Sequence, residues 1–201
     1  MLRKLTKNEY EVSAWSGGTT TQLAIFPPEA KYAERDFLWR VSSAAVALEE
    51  SDFTALPDYD RLIATLQGEI VLTHNGGAPL RLRPFEVHAF SGADATHSLG
   101  RCTDFNLMLR RGRAKGSMEA LRLTDRPVSL PSPSKGGWLL LYCVEGAAAA
   151  RRADADGAEA EPDPAPPVLL SEGEALLLTE AAALTLTGPA ALMLCRMRAT
   201  A

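Results

Sequence analysis

One pattern is written twice into this chain, and that repetition limits the fold more than any single motif. R-L-I-A-T-L-Q-G, from Arg61 to Gly68, parallels L-L-L-Y-C-V-E-G, from Leu139 to Gly146, at an offset of 78. L-R-L-R-P-F-E-V parallels V-L-L-S-E-G-E-A at an offset of 88, which sets Glu86 against Glu174. The same 88 aligns Gly100 with Gly188 and Arg110 with Arg198. The change of offset is absorbed in R-R-A-D-A-D-G-A-E-A-E-P-D-P-A-P-P, an acidic stretch rich in Ala and Pro, so residues 153–167 are expected to form a mobile surface loop. Three residues at one shared offset favour duplication over chance alignment of apolar residues. The repeated units are short runs with turns every few residues and no capped helical pattern. Such a chain is all-β, built as two tandem β-barrels or sandwiches over residues 1–116 and 117–201.

Within the first copy, D-F-L-W-R-V-S-S-A-A-V from Asp36 to Val46 reads as a strand. With a period of two, Phe37, Trp39, Val41 and Ala45 share one face, and Leu38, Arg40, Ser42 and Ala44 share the other. Both faces are largely apolar, which predicts a covered strand with Arg40 in its middle. A buried arginine needs a carboxylate, carbonyl oxygens or a bound anion; an internal ion pair and a ligand contact are both open readings. Residues 1–14 predict a short opening strand. Gly17 and Gly18 allow a tight turn. The strand after them puts Thr20, Gln22 and Ala24 on one face, with Thr19, Thr21, Leu23 and Ile25 on the other. Residues 47–59 read as a polar connection, and N-G-G at 75–77 as a hairpin turn. In D-F-N-L-M-L-R, Phe105, Leu107 and Leu109 form an apolar face; Asp104, Asn106, Met108 and Arg110 form the other.

Net charge is −4 with no basic patch or basic helix, which argues against nucleic acid and anionic membrane as partners. No uncharged run approaches the roughly 18 apolar residues of a membrane helix, and the N-terminal stretch has no signal-peptide pattern. Cys102, Cys143 and Cys195 are odd in number, widely spaced and without a C-x-x-C pair. They read as buried thiols of a reducing, cytoplasmic compartment.

W-S-G-G-T-T-T-Q-L, F-L-W-R-V-S-S-A, L-P-D-Y-D-R, L-x-G-E-I-x-L and D-F-N-L-M-L-R, in this order and spacing, resemble the HutD/Ves family over roughly residues 10 to 116. The turn after Trp15 is shorter than the W-x-N-x-x-G-x-T-x-E of several members, and Gln22 stands at the Glu. The resemblance implies an all-β bicupin, two tandem cupin-like (RmlC-like) barrels or sandwiches packed together. It also implies a link to bacterial histidine utilisation, through binding of a pathway metabolite.

Metal-holding cupins carry a G-x5-H-x-H-x3-4-E-x6-G box, and this chain lacks it. His74 stands alone after Gly68, beside the N-G-G turn, and reads as exposed. His88 is the best barrel candidate of the three histidines and His97 stands apart, so no metal and no cofactor are expected. No Ser or Cys has an identifiable His partner for nucleophilic catalysis. What remains is a set of polar groups on strand faces: Thr20, Gln22, Arg40, Ser42, Arg61, Asp104, Asn106 and Arg110, with Trp15 at the head of its stretch. Arginines bind carboxylates in bidentate pairs, while Asn, Gln, Ser and Thr orient a ligand through neutral hydrogen bonds. The expected function is therefore non-catalytic, metabolite-sensing binding of a small carboxylated molecule or amino-acid derivative. The alternative is a metal-independent isomerase or hydrolase using Asp104 or Glu86 as general base; a third reading is a polar network that only fixes the barrel. A homodimer is compatible with all of these. The second copy replaces Arg61, Asp104 and Asn106 by Leu139, Leu192 and Leu194, so the site is expected in the first.

Overall fold

The computed structural model describes residues 1–153, 166–179 and 182–200. Most of the acidic segment expected as a mobile loop, residues 154–165, lies outside the described residues. The strands are β1 (Leu2–Leu5), β2 (Glu11–Trp15), β3 (Gly18–Phe26), β4 (Trp39–Val46), β5 (Glu50–Asp52), β6 (Tyr59–Gln67), β7 (Ile70–His74), β8 (Leu80–Leu82) and β9 (Val87–Ser91). They continue with β10 (Thr96–Leu99), β11 (Cys102–Arg110), β12 (Ala114–Leu123), β13 (Val128–Leu130), β14 (Gly137–Ala153), β15 (Val168–Ser171), β16 (Ala175–Leu178), β17 (Ala183–Thr187) and β18 (Ala190–Ala199). Helical structure among the described residues is confined to short 3-10 turns at Lys7–Glu9 and Tyr32–Glu34. No helix there is long and apolar enough to cross a membrane.

The chain divides into two compact units, one of Tyr10–Met118 with Thr200 and the other of Met1–Glu9 with Glu119–Ala199. The opening stretch holds two strands rather than one, and they belong to different units: β1 pairs with β16, and β2 pairs with β3. The Tyr10–Met118 unit has a six-stranded sheet ordered β2-β3-β4-β11-β6-β9 and a four-stranded sheet ordered β5-β10-β7-β8. Ile63 of the first sheet packs with Ile70, Leu72 and Leu82 of the second, so the unit is a sandwich. The connection expected over 47–59 is not wholly irregular, because Glu50–Asp52 pairs with β10.

The duplication holds residue by residue. Arg61 pairs with Phe90 on β6 and β9, and Leu139 pairs with Leu178 on β14 and β16. Met108 pairs with Arg61, and Arg196 with Leu139. The bulge between Thr103 and Asp104 faces Gln67 and Thr65; its counterpart opens between Cys143 and Glu145. The turns agree as well. Glu86 Oε2 accepts from the Arg83 N–H at 3.0 Å, and Glu174 Oε2 from the Ser171 N–H at 2.8 Å. A Cβ on Gly68 would sit 2.4 Å from the Arg101 oxygen, and one on Gly146 2.3 Å from the Pro189 oxygen. Close backbone approach therefore demands glycine at both places. Phe85 adopts φ 68°, where its counterpart Gly173 has φ 81°, so the first copy carries a left-handed residue that the second relieves with glycine.

The interiors differ. In the second copy Leu139, Leu141, Leu176, Leu178, Leu184, Leu186, Leu192 and Leu194 form one leucine core, each no more than 1% exposed. Burial of a leucine there removes a whole side chain from water, and its truncation leaves a void. Leu139→Ala and Leu192→Ala are each expected to cost about 2–5 kcal/mol of stability, read as a drop in the urea midpoint.

Candidate functional site

The six-stranded sheet sets its polar residues in rows, because directly paired residues on neighbouring strands point to the same face. One row runs Thr20, Ala44, Asp104; the next runs Gln22, Ser42, Asn106. A third runs Ile25, Arg40, Met108, Arg61, Phe90 across five strands. Ile25 was expected on the face opposite Thr20. A bulge between Gln22 and Ala24 inserts one residue, so the alternation reverses and Ile25 joins the face of Arg40.

Over these rows lies a cavity of about 310 Å3. Trp15, Thr20, Arg40, Ser42, Arg61, Asp104 and Asn106 all line it, joined by Ser13, Ala44, Val46 and Met108. Sequence reasoning missed Tyr32, which comes from a 3-10 turn, and Ser51, Asp52, Phe53 and Thr54, which lie in or just after the three-residue strand β5. Strands and turns this short show no periodicity from which a facing could be read. Trp15 lies on its own turn: a Cβ on Gly17 would meet the indole at 2.0 Å and Leu48 Cδ1 at 2.8 Å.

Arg40 and Arg61 are 5% and 7% exposed. Arg40 Nε donates to Gln22 Oε1 at 2.7 Å, Nη1 donates to Ser42 Oγ at 3.1 Å, and the guanidinium carbon lies 4.3 Å from the Tyr32 ring centroid. Gln22 does not line the cavity; its amide donates to Glu11 Oε2 at 3.1 Å and it stands behind Arg40. Arg61 Nη2 donates to Asn106 Oδ1 at 3.0 Å, and its guanidinium carbon lies 5.0 Å from the ring centroids of both Phe53 and Phe90. The Nε of Arg61 is buried and has no hydrogen-bond partner among the described residues. Neither guanidinium forms an ion pair with a carboxylate among the described residues. Burial lowers the pKa of both.

Asn106 links the second arginine to the one buried carboxylate. Its Nδ2 donates to Asp104 Oδ1 at 2.7 Å, and the Ala44 N–H donates to the same oxygen at 3.2 Å. Burial pushes the Asp104 carboxyl up to about 6, against the opposing pull of Arg61, Asn106, Ala44 and Arg40.

The remaining candidates fall elsewhere. Arg110 Nη1 donates to the Arg35 carbonyl at 2.6 Å and to Tyr59 Oη at 3.2 Å, away from the cavity lining. Glu86 is exposed and caps its turn, so it cannot serve the cavity as a base. His74 is half-buried rather than exposed: its Nδ1 lies 2.8 Å from Thr96 Oγ1, and its Nε2 lies 2.9 Å from His88 Nε2. The adjacent turn leaves the loop in solvent while the strand end points inward. Both rings pack against Phe90, and burial, then His74, lowers the pKa of His88. No group of three or more His, Cys, Asp or Glu placed to hold a metal ion occurs among the described residues. The described cysteines are all free thiols, Cys102 half-buried and the other two buried.

A family model described as HutD matches residues 7–195. The chain is 32% identical over 151 residues to a protein Ves of Citrobacter koseri, covering 73% of this chain and 72% of that one. It resembles the structure of HutD from Pseudomonas fluorescens SBW25, with a TM-score of 0.76 at 20% identity over 100% of both chains. It also resembles the nickel(II) complex of the pirin YhhW from Escherichia coli, with a TM-score of 0.66 at 11% identity over 98% of both chains. The fold is that of the cupins.

Asp104 ties stability to pH. Its folded-state pKa of about 6 lies above the ordinary 3.8, so the native state holds the extra proton between about pH 4 and 6 and stability falls as pH rises through that window. Asp104→Asn keeps an acceptor for Ala44 and Asn106 and should flatten the slope. The difference between the two proteins is expected to reach at most about 3 kcal/mol, measured by urea unfolding from pH 4 to 7.5.

Proposed function

The chain belongs to the HutD family, and from that premise we propose that it is a non-catalytic, metabolite-sensing protein that holds the carboxylate of a small molecule between Arg40 and Arg61. The observation that carries this reading is the buried Nε of Arg61, which has no hydrogen-bond partner among the described residues and belongs to a residue lining the cavity. An unmet buried donor on a charged group costs free energy, and a carboxylate held against the same guanidinium from the cavity would offset that cost. The third row supports a two-sided grip. Met108 separates Arg40 from Arg61, so their backbones stand two strand spacings apart, about 10 Å, and the side chains converge on one chamber. Phe53, Phe90 and Tyr32 dry the guanidinium groups, which strengthens their attraction for an anion. The volume suits a small metabolite.

One observation favours the alternative, a metal-independent isomerase or hydrolase. Asp104, with its carboxyl pushed up to about 6, lines the same cavity and could take a proton. No histidine or cysteine lines that cavity to share the work. Turnover of any bound acid separates the two readings.

Arg40→Met and Arg61→Met are expected to abolish carboxylate binding in a thermal-shift screen of small acids while leaving a cooperative unfolding transition, since a ligand held only by the folded state raises its melting temperature. Variants that fail to fold, or that keep the ligand-induced shift, would assign the arginines to an internal network instead.

A further inference from the structure

The net charge of the cavity turns on a residue that does not line it. Arg40 has three neutral neighbours: the Gln22 carbonyl on Nε, the Ser42 hydroxyl on Nη1 and the face of Tyr32. Gln22 is held in that orientation from behind. Glu11 only accepts hydrogen bonds, so the Gln22 amide nitrogen must turn toward Glu11 Oε2 and its carbonyl toward Arg40. Arg61 is different, because Asn106 connects it to the buried carboxylate of Asp104. The interior thus holds two guanidinium groups against one carboxylate. The two further acids nearby are exposed: Asp52 has a side chain 85% accessible, and Glu11 lies on a strand whose residues are all exposed, so water and salt screen both.

We propose that Gln22 is the specificity-determining residue of this site: it leaves one buried positive charge uncompensated, and so selects a ligand with a single carboxylate whose other polar end is neutral. This deepens, and rests on, the anion-binding reading given above. A second ligand carboxylate would find no spare cation in the lining; Arg35 lies behind the Tyr32 ring, 3.8 Å from its centroid, and donates to the Tyr32 carbonyl. That second carboxylate would meet Asp104, buried at 5% exposure, and the rim carboxylate of Asp52. A neutral amide or hydroxyl meets better partners, since Thr20, Ser42 and Asn106 line the same chamber. A glutamate at position 22 would pair with Arg40 directly and cancel the charge that draws the ligand in.

The test uses the full chain, isothermal titration at pH 7.5 and a matched pair of probes, succinamate and succinate, which differ by one charge. Wild-type protein should bind succinamate at least tenfold tighter than succinate. The exchange variant Glu11→Gln/Gln22→Glu keeps the total charge and the hydrogen-bond chain but moves the carboxylate next to Arg40. It should lose at least tenfold in succinamate affinity with a melting temperature equal to or above wild type. Gln22→Met keeps the cavity charge but removes the acceptor for Arg40 Nε, so its readout is the ratio of the two affinities: the preference for succinamate should be retained. Equal affinity for the two acids in wild type would overturn the charge count. Undiminished succinamate binding by the exchange variant, or loss of the succinamate preference in Gln22→Met, would show that charge at position 22 does not set specificity. Absence of any heat with succinamate, succinate, formate and propionate alike would instead sink the anion-binding reading itself.

Discussion

Two guanidinium groups held out of water, neither in an ion pair with a carboxylate among the described residues, are the constraint on which the first unit is built. Desolvating such a charge costs several kcal/mol, and the fold around it is arranged to reduce that cost without cancelling the charge. Tyr32, Phe53 and Phe90 offer ring faces, Gln22 and Ser42 offer oxygens, and Asn106 passes part of the field of Asp104 to Arg61. Gln22, Ser42, Asn106 and Phe90 are themselves positioned by sheet register, so the electrostatics and the strand pairing are largely one arrangement.

The second unit shows what the same topology becomes when that demand is absent. Its pairings repeat those of the first, down to the bulge and the glutamate-capped turn, yet Leu139, Leu192 and Leu194 occupy the positions of Arg61, Asp104 and Asn106. Leucine packing asks only for volume and shape, whereas the polar set asks for partners at hydrogen-bond distance. The duplicated fold therefore contains its own comparison: corresponding ladders, with one interior closed by leucine packing and the other holding a polar set.

Much of this was legible in the sequence because strands have a period of two. Arg40 and Ser42, and Asp104 and Asn106, fell on the faces that the alternation predicted, and the offsets of 78 and 88 located the second copy. The reading broke where the period breaks. Leu23 is the extra residue of a bulge, which turned Ile25 to the other face. Strand β5 is too short to carry a pattern, so Asp52 and Phe53 were passed over, and Tyr32 reaches the chamber from a 3-10 turn. His74 looked exposed from its neighbours Asn75 and Gly76, but only its partners Thr96 and His88, distant in sequence, reveal where its ring lies. Arg110 shares the parity of Asp104 yet stands one row too far along the strand, where the Arg35 carbonyl takes it up.

Gly17 gives the chamber its aperture. The Trp15 ring occupies the space that a side chain at position 17 would fill, with Leu48 closing the other flank. The indole is 41% exposed, so it forms part of the doorway rather than of the wall. Even one methyl group at Gly17 would have to evict the ring, either outward, widening the entrance, or inward, across the approach to Arg40. The width of the chamber's entrance is thus encoded by a carbon atom that the chain omits, so a single substitution at that position would resize the opening without changing the guanidinium groups behind it.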